Sequence, residues 1–331
     1  MNVLPPMRNE RLFVPFLDEV DGTLCLPANA TAADIHAQAR AHRLRFPLLL
    51  DEAKTLREQI VATTHAPASC RFGPYCDNVL GMNWRLPSGR IARIGERVVK
   101  TTTGFDWLRF LLHSGSRHGE PVDYVLRLRP DCGFTAIARF DGDAEALRSC
   151  VSKLLHSGWM HWWDAVDFLT EAGTSFIRVM VHCVPEEASI FAQQLEHVAA
   201  SASAQLTLQN DVPQALDGLP DLVVKTTPDR VIDLAAELAP GASRCVALCY
   251  SGVVHVYMNE SDDLTERTQA LVQPHASELY SLGGDWHSRR LPATPPTITE
   301  SAWLNTLEQA IHAAAGSDGV GEKGRFGEVQ K

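Results

Sequence analysis

The residues that could hold a metal or carry nucleophilic and acid–base chemistry are eight cysteines and 13 histidines, spread over 331 positions. The cysteines (Cys25, Cys70, Cys76, Cys132, Cys150, Cys183, Cys245 and Cys249) stand at irregular spacings with no C-x-x-C pair. A tetrahedral zinc site needs Cys or His ligands close enough to surround the ion. The nearest approach, Cys245 with Cys249 in the apolar run CVALC, puts both on one face of a strand, the pattern of two small core residues. All eight read as reduced thiols, mostly packing. His182 and His255 fall in strand-like runs, where a single imidazole is ordinarily a hydrogen-bonded structural group. His161 with Trp162 and Trp163 makes an aromatic patch that reads as a core or interface anchor. Arg127 and Arg129 alternate along a strand and read as its solvated face.

The elements that must position these residues repeat themselves beyond residue 130. Phe134–Phe140 reads as a strand and Asp143–His156 as a helix, with Leu147, Val151, Leu154 and Leu155 at helical spacing and Gly158 placed to end it. Apolar runs follow at Trp162–Leu169 and Ser175–Cys183, then a helix Pro185–Ala199 opened by proline and two glutamates, then an alternating run Ala204–Leu208. This β-α-β-β-α-β order is ferredoxin-like. The same order recurs as strand Asp221–Thr226, helix Pro228–Leu238, strands Arg244–Tyr250 and Val253–Met258, helix Asp263–Gln273 and strand Glu278–Leu282. Asn210–Pro220, rich in Asp, Pro and Gly, links the two units. Upstream, Gly22–Pro27 is a strand, and Thr31 caps a helix Ala32–His42. Val79–Leu86 and Arg90–Ile94 form a hairpin about Pro87-Ser88-Gly89, and Val122–Leu128 alternates with Tyr124, Leu126 and Leu128 on one face.

Composition narrows the function. Hydrophobic residues at 45% and charged residues at 21% suit a globular chain, long enough for two cores. A net charge of −10 argues against a phosphate-binding surface for nucleic acid. No apolar run approaches the length of a membrane span, and the N-terminus has no signal-peptide core, so the expected location is cytoplasmic.

A series of short motifs, in order, resembles the vanillyl-alcohol-oxidase (PCMH-type) FAD-binding flavoproteins, and more narrowly the FAD-binding subunit of bacterial glycolate oxidase. The motifs are Thr55-Leu56 with Ala62-Thr63, Arg71-Phe72-Gly73, Asp77-Asn78-Val79-Leu80-Gly81, Arg97-Val98-Val99-Lys100 with Gly104-Phe105-Asp106, and Ser114 with Gly119 before Leu126-Arg127-Leu128-Arg129-Pro130. Val224-Lys225 in the second repeat, and Asp318-Gly319-Val320 with Gly324-Arg325-Phe326 at the far end, continue the likeness. The resemblance implies FAD as cofactor, with Thr55, Thr63, Thr64, Gly73, Gly104, Asp106, Ser114 and Gly119 as its contacts. Backbone N–H groups must approach a pyrophosphate, which needs glycine where a Cβ would collide. Thr63 and Thr64 hydroxyls could bond the ribityl chain or phosphates, and His113 and His118 flank the loop ending at Gly119.

The chain also departs from the pattern. Arg57-Glu58 stand where the family has paired glycines, Thr101 replaces its asparagine, and Ser114-Gly115-Ser116-Arg117-His118-Gly119 has lost two of three glycines of its loop. The family's preceding P-x-G-G-G-T-S phosphate loop finds no counterpart before residue 20, and neither do its clustered catalytic histidines, so no catalytic residue is assigned. The expected class is α+β: a partial PCMH-type FAD-binding domain over 1–130, then an α+β cap of two ferredoxin-like repeats over 131–292 (131–210 and 221–292). A C-terminal segment, 293–331, should pack back on the first domain through a helix Ser301–Ala315 bearing Trp303, Leu304, Leu307 and Ile311. The expected role is a subunit of a flavin-dependent 2-hydroxy-acid (glycolate/D-lactate-type) dehydrogenase, partnered by its other subunits and a small-molecule substrate. The alternatives are a flavin-free scaffolding subunit of such a complex, with FAD bound weakly or not at all by this chain alone, and an unrelated α+β binding protein.

Overall fold

The computed structural model describes residues 12–62, 69–96, 106–113, 118–209, 220–258, 270–275 and 285–288. The first part is built on strands β1 (Phe16–Asp18), β2 (Thr23–Pro27) and, paired only with each other, β3 (Leu44–Arg45) and a later β7 (Arg129–Pro130). Helix α1 (Ala32–Arg40) starts at Thr31, whose hydroxyl accepts from the Asp34 N–H while the Asp34 carboxylate accepts from the Thr31 N–H. This reciprocal cap satisfies two amides that the helix leaves open. Then come α2 (Leu56–Ala62), α3 (Ser69–Phe72) and α4 (Tyr75–Asn78), the hairpin β4 (Val79–Arg85) and β5 (Ile91–Gly95), α5 (Trp107–His113) and β6 (Glu120–Arg127). The sheet order is β1-β2-β6-β4-β5, antiparallel throughout. Leu24, Met82, Trp84, Tyr124 and Leu126 on one face of the sheet bury against Ile35, Leu56, Ile60 and Leu111 of the helices. The other face is also covered, by Phe13 over Cys25 and Val125.

The second part begins with β8 (Phe134–Asp141), α6 (Ala144–Leu155), β9 (Ala165–Glu171), β10 (Thr174–Cys183), α7 (Ala188–Ala202) and β11 (Gln205–Gln209). It continues with β12 (Leu222–Lys225), α8 (Val231–Leu238), β13 (Arg244–Leu248), β14 (Val253–Tyr257) and β15 (Asp285–Ser288). One eight-stranded antiparallel sheet runs β11-β8-β10-β9-β13-β14-β12-β15. Within each half the first strand lies between the fourth and the third, the ferredoxin-like order, and the halves join through their second strands, β9 and β13, with Cys245 opposite Thr170. The two expected repeats thus form a single sheet with a pseudo-twofold at its centre. Helices α6, α7 and α8 cover one face, over Phe140, Phe168, Ile177, Val181 and Val254.

Some expectations shift. Helix α8 begins at Val231, because Thr227–Arg230 closes a turn first, and α7 begins at Ala188 after one 3₁₀ turn at Pro185–Glu187. The closing strand of the second repeat is Asp285–Ser288, where Val224 pairs with Trp286, rather than Glu278–Leu282. Of the helix expected at Asp263–Gln273, residues 270–272 are helical; its other residues, and the C-terminal helix at Ser301–Ala315, lie outside the described residues. Among the described residues no helix is long and apolar enough to cross a membrane.

A buried ion pair stitches the face of the large sheet opposite its helices. Asp167 on β9, 3% exposed, stands directly across from Arg178 on β10, with Nη2 to Oδ2 at 2.8 Å. Burial raises the Asp167 carboxyl, and Arg178 works against that rise. Arg178→Met should therefore cost about 3–5 kcal/mol in urea unfolding, the cost of a buried carboxylate left alone, whereas Asp167→Leu with Arg178→Met together should recover most of it. Equal losses in the single and double variants would show that the pair plays no such part.

Candidate functional site

The eight residues drawn from the motifs divide by position. Thr63, Thr64, Gly104 and Ser114 lie outside the described residues. Thr55, Gly73, Asp106 and Gly119 are described, and the structure brings them together as two pairs.

The first pair is tied through residues 57, 58 and 120. The Thr55 hydroxyl accepts from the Glu58 N–H at 3.2 Å, and the Glu58 carboxylate accepts from the Thr55 N–H at 2.8 Å. These residues therefore form a second reciprocal cap, at the start of α2. Arg57 reaches across to Glu120, 2.7 Å away, and Arg85 grips the same carboxylate at 2.6 Å. Glu120 directly follows Gly119, whose φ of +119° and close approach to the Arg85 carbonyl and the Trp84 indole leave no room for a Cβ. Trp84 Nε1 donates to the His118 carbonyl at 2.9 Å. Arg57-Glu58, the departure from paired glycines, thus acquires a structural role, and glycine at 119 is demanded by the neighbouring strand.

The second pair is tied through residues 77 and 109. Gly73, at φ +73°, turns the chain against the Asp77 side chain. Asp77 holds Arg109, which also meets Asp106 at 3.3 Å, while Asp106 accepts from the Arg109 N–H at the start of α5. His113 sits on the Arg109 carbonyl at the other end of α5, and His118 stacks on Phe110 at 5.5 Å. Every described member of the motif set is occupied by a local bond or a close backbone contact. These residues do not by themselves fit a pyrophosphate: the carboxylates of Glu58 and Glu120 stand in the two loops where free backbone amides are needed.

A different cluster carries more unanswered charge. Asp164, fully buried, lies just before β9 and receives Arg45 Nη2 at 3.2 Å and Arg71 Nη1 at 3.7 Å. Its carbonyl accepts from the Cys70 N–H at 3.1 Å and its N–H donates to the Met180 carbonyl at 2.8 Å, so α3 is fastened to the large sheet. Leu49 packs there on Ala165 and Met180. The ribbon β3–β7 sets Arg45 directly opposite Arg129. Arg45, Arg71 and Arg129 all gather on the Phe72 ring, at 5.5, 5.0 and 5.4 Å from its centre. Burial lifts the Asp164 carboxyl to about 6 against the pull of Arg45 and Arg71. Burial, then repulsion from Arg127, Arg71 and Arg45, lowers the Arg129 guanidinium. Arg129 is therefore no part of a solvated face; β7 turns it inward onto Phe72. Each guanidinium–ring contact contributes about 0.5–2 kcal/mol, and like charges placed directly opposite across strands oppose one another.

His182 borders this cluster and is a structural imidazole, as expected. Its Nε2 accepts from the Cys132 N–H at 2.9 Å, and Nδ1 lies 2.8 Å from the Thr135 hydroxyl. Burial, aided by Arg45, pushes its pKa down to about 4 in spite of Asp131. The cysteines are all free, and burial raises Cys70, Cys76, Cys150, Cys183, Cys245 and Cys249 above the ordinary thiol range. Among the described residues no three His, Cys, Asp or Glu side chains are grouped to hold a metal. Sequence reasoning missed the set Arg45, Arg71, Arg129 and Asp164. The available signal was Asp164 itself, an acid opening the apolar run Ala165–Leu169.

No family model matches the chain. Over 90 residues, 27% of the chain, it is 31% identical to two uncharacterized FAD-linked oxidoreductases of Mycobacterium tuberculosis, strains CDC 1551 / Oshkosh and ATCC 25618 / H37Rv. The matched stretch spans 19% of those relatives' length. Among solved structures, an alkyldihydroxyacetonephosphate synthase superposes with a TM-score of 0.55 at 10% identity, over 93% of this chain and 66% of that one. A VAO-type flavoprotein of Myceliophthora thermophila C1 gives 0.58 at 12% identity, over 89% and 64%. The fold is therefore α+β, of the VAO-type flavoprotein kind.

His182 has a pKa of about 4 in the folded chain, against 6.5 when unperturbed. As pH falls between those values the unfolded chain takes up the proton first, so folding loses free energy on acidification. His182→Gln, which keeps an acceptor for the Cys132 amide, should flatten that loss by about 2–3 kcal/mol between pH 7 and pH 4 in urea titrations. Parallel pH curves for the two proteins would contradict the assignment.

Proposed function

We propose that this chain is a subunit of a FAD-linked oxidoreductase of the VAO type, working with partner subunits on a 2-hydroxy acid of the glycolate or D-lactate class. The observation that carries the reading is the coincidence of a 31% identical stretch shared with FAD-linked oxidoreductases and a VAO-type fold matched over 89% of the chain. Bound FAD would supply the hydride-accepting chemistry, and the protein orientation and charge. By resemblance the cofactor contacts are Thr63, Thr64, Gly104 and Ser114, and the division of labour is 1–130 for the cofactor, 131–292 as a cap and 293–331 returning to the first part.

A second reading, a flavin-free subunit that holds such a complex together, is favoured by one observation. The Glu58 carboxylate caps α2, and Glu120 is clamped by Arg57 and Arg85, in the two loops expected to meet phosphate. Each charge-assisted bond to phosphate that these loops fail to make costs about 1.5–3 kcal/mol, or one to two powers of ten in affinity.

FAD titrated into the isolated chain, followed by flavin fluorescence, should give a dissociation constant above about 1 µM. The chain purified with its partner subunits should carry flavin and oxidise a 2-hydroxy acid. A complex without flavin would transfer the case to the scaffolding reading. Sub-micromolar binding by the chain alone would mean that the altered loops are compensated.

A further inference from the structure

We infer that Arg71 and Arg129, over the Phe72 ring where the small sheet meets the large one, form a binding site for a small organic carboxylate, with Arg45 and Asp164 as its fixed base. Three guanidiniums share one aromatic ring, and one carboxylate faces them. Asp164 is committed to Arg45 at 3.2 Å; its 3.7 Å approach to Arg71 is longer than a hydrogen bond. No described carboxylate pairs with Arg129, and its Nε, like that of Arg45, is buried without a hydrogen-bond partner. The two-residue ribbon makes the excess a matter of design: Arg45 and Arg129 are register partners, so the backbone holds like charges opposite one another. Such an arrangement is relieved by an anion bridging Arg129 and Arg71.

The chemistry of that anion follows from the walls. Guanidinium forks match the planar, bidentate geometry of a carboxylate. Phe72 offers a flat face, and Trp162, 40% exposed and 5.7 Å from the Arg71 guanidinium, offers apolar surface for a short carbon stub. Arg71 is 33% exposed, so the place is reachable from solvent. Nothing in this inference requires a flavin; joined to the function proposed above, the ligand would be the acid group of the hydroxy acid.

Isothermal calorimetry of the full chain with oxalate tests it, with inorganic phosphate as the second arm. Oxalate should bind saturably at one per chain. Arg129→Gln should weaken it by about tenfold or more while melting no lower than the parent, because the charge removed has no partner. Arg71→Lys keeps the charge and loses the fork, and should fall between the two. Absence of saturable binding, oxalate affinity unchanged in Arg129→Gln, or phosphate binding more tightly than oxalate would each overturn the assignment. Oxalate binding by a preparation that never takes up FAD would leave this site standing and remove the flavin reading alone.

Discussion

A carboxylate with no access to water, Asp164, sits where the two sheets meet, and the rest of the architecture is arranged to make that tolerable. Removing such a group from solvent costs several kcal/mol unless cations and amides answer it. The answer comes from the other sheet's side of the molecule: Arg45 from a two-residue strand, Arg71 from a four-residue helix, and the Cys70 amide from the same short helix. None of these elements has the length to be stable alone. They hold their shape because each is anchored on the large sheet, and that sheet is joined to the first part through them.

The fold was largely legible in the sequence, because its second half follows local rules. Strand alternation at Ile177, Val179 and Val181, the helical stripe of Leu147, Val151 and Leu154, and the Asp143 cap each specify an element without help from distant residues. Short elements were not legible. Leu44–Arg45 and Arg129–Pro130 are two residues each, too brief to show a period, and only the tertiary pairing makes them a ribbon. Arg129 was misread for that reason: alternation with Arg127 predicts an outward side chain, whereas β7 turns it onto Phe72.

The candidate site was legible as a set of residue types and not as a set of roles. Glycine at 119 looks the same in sequence whether a phosphate or a carbonyl excludes its Cβ; here the Arg85 carbonyl does so. Thr55 and Glu58 have the spacing of a capping box, and that local bond takes the hydroxyl that a ligand would need. The charged cluster draws its members from positions 45, 71, 129 and 164, so no window along the chain contains it. The chemistry of this molecule concentrates where its two sheets touch.

The dependence of the fold on that contact is measured most directly by a double-mutant cycle on Arg45 and Asp164. Arg45→Met, Asp164→Leu and the double variant would be unfolded in urea at pH 8, above the Asp164 pKa of about 6, where the carboxylate is ionised. A coupling of at least about 1.5 kcal/mol is expected, with each single variant less stable than the pair of substitutions together implies. Additivity within about 0.5 kcal/mol would contradict it, because the two charges would then contribute independently and the seam would be held by apolar contact alone.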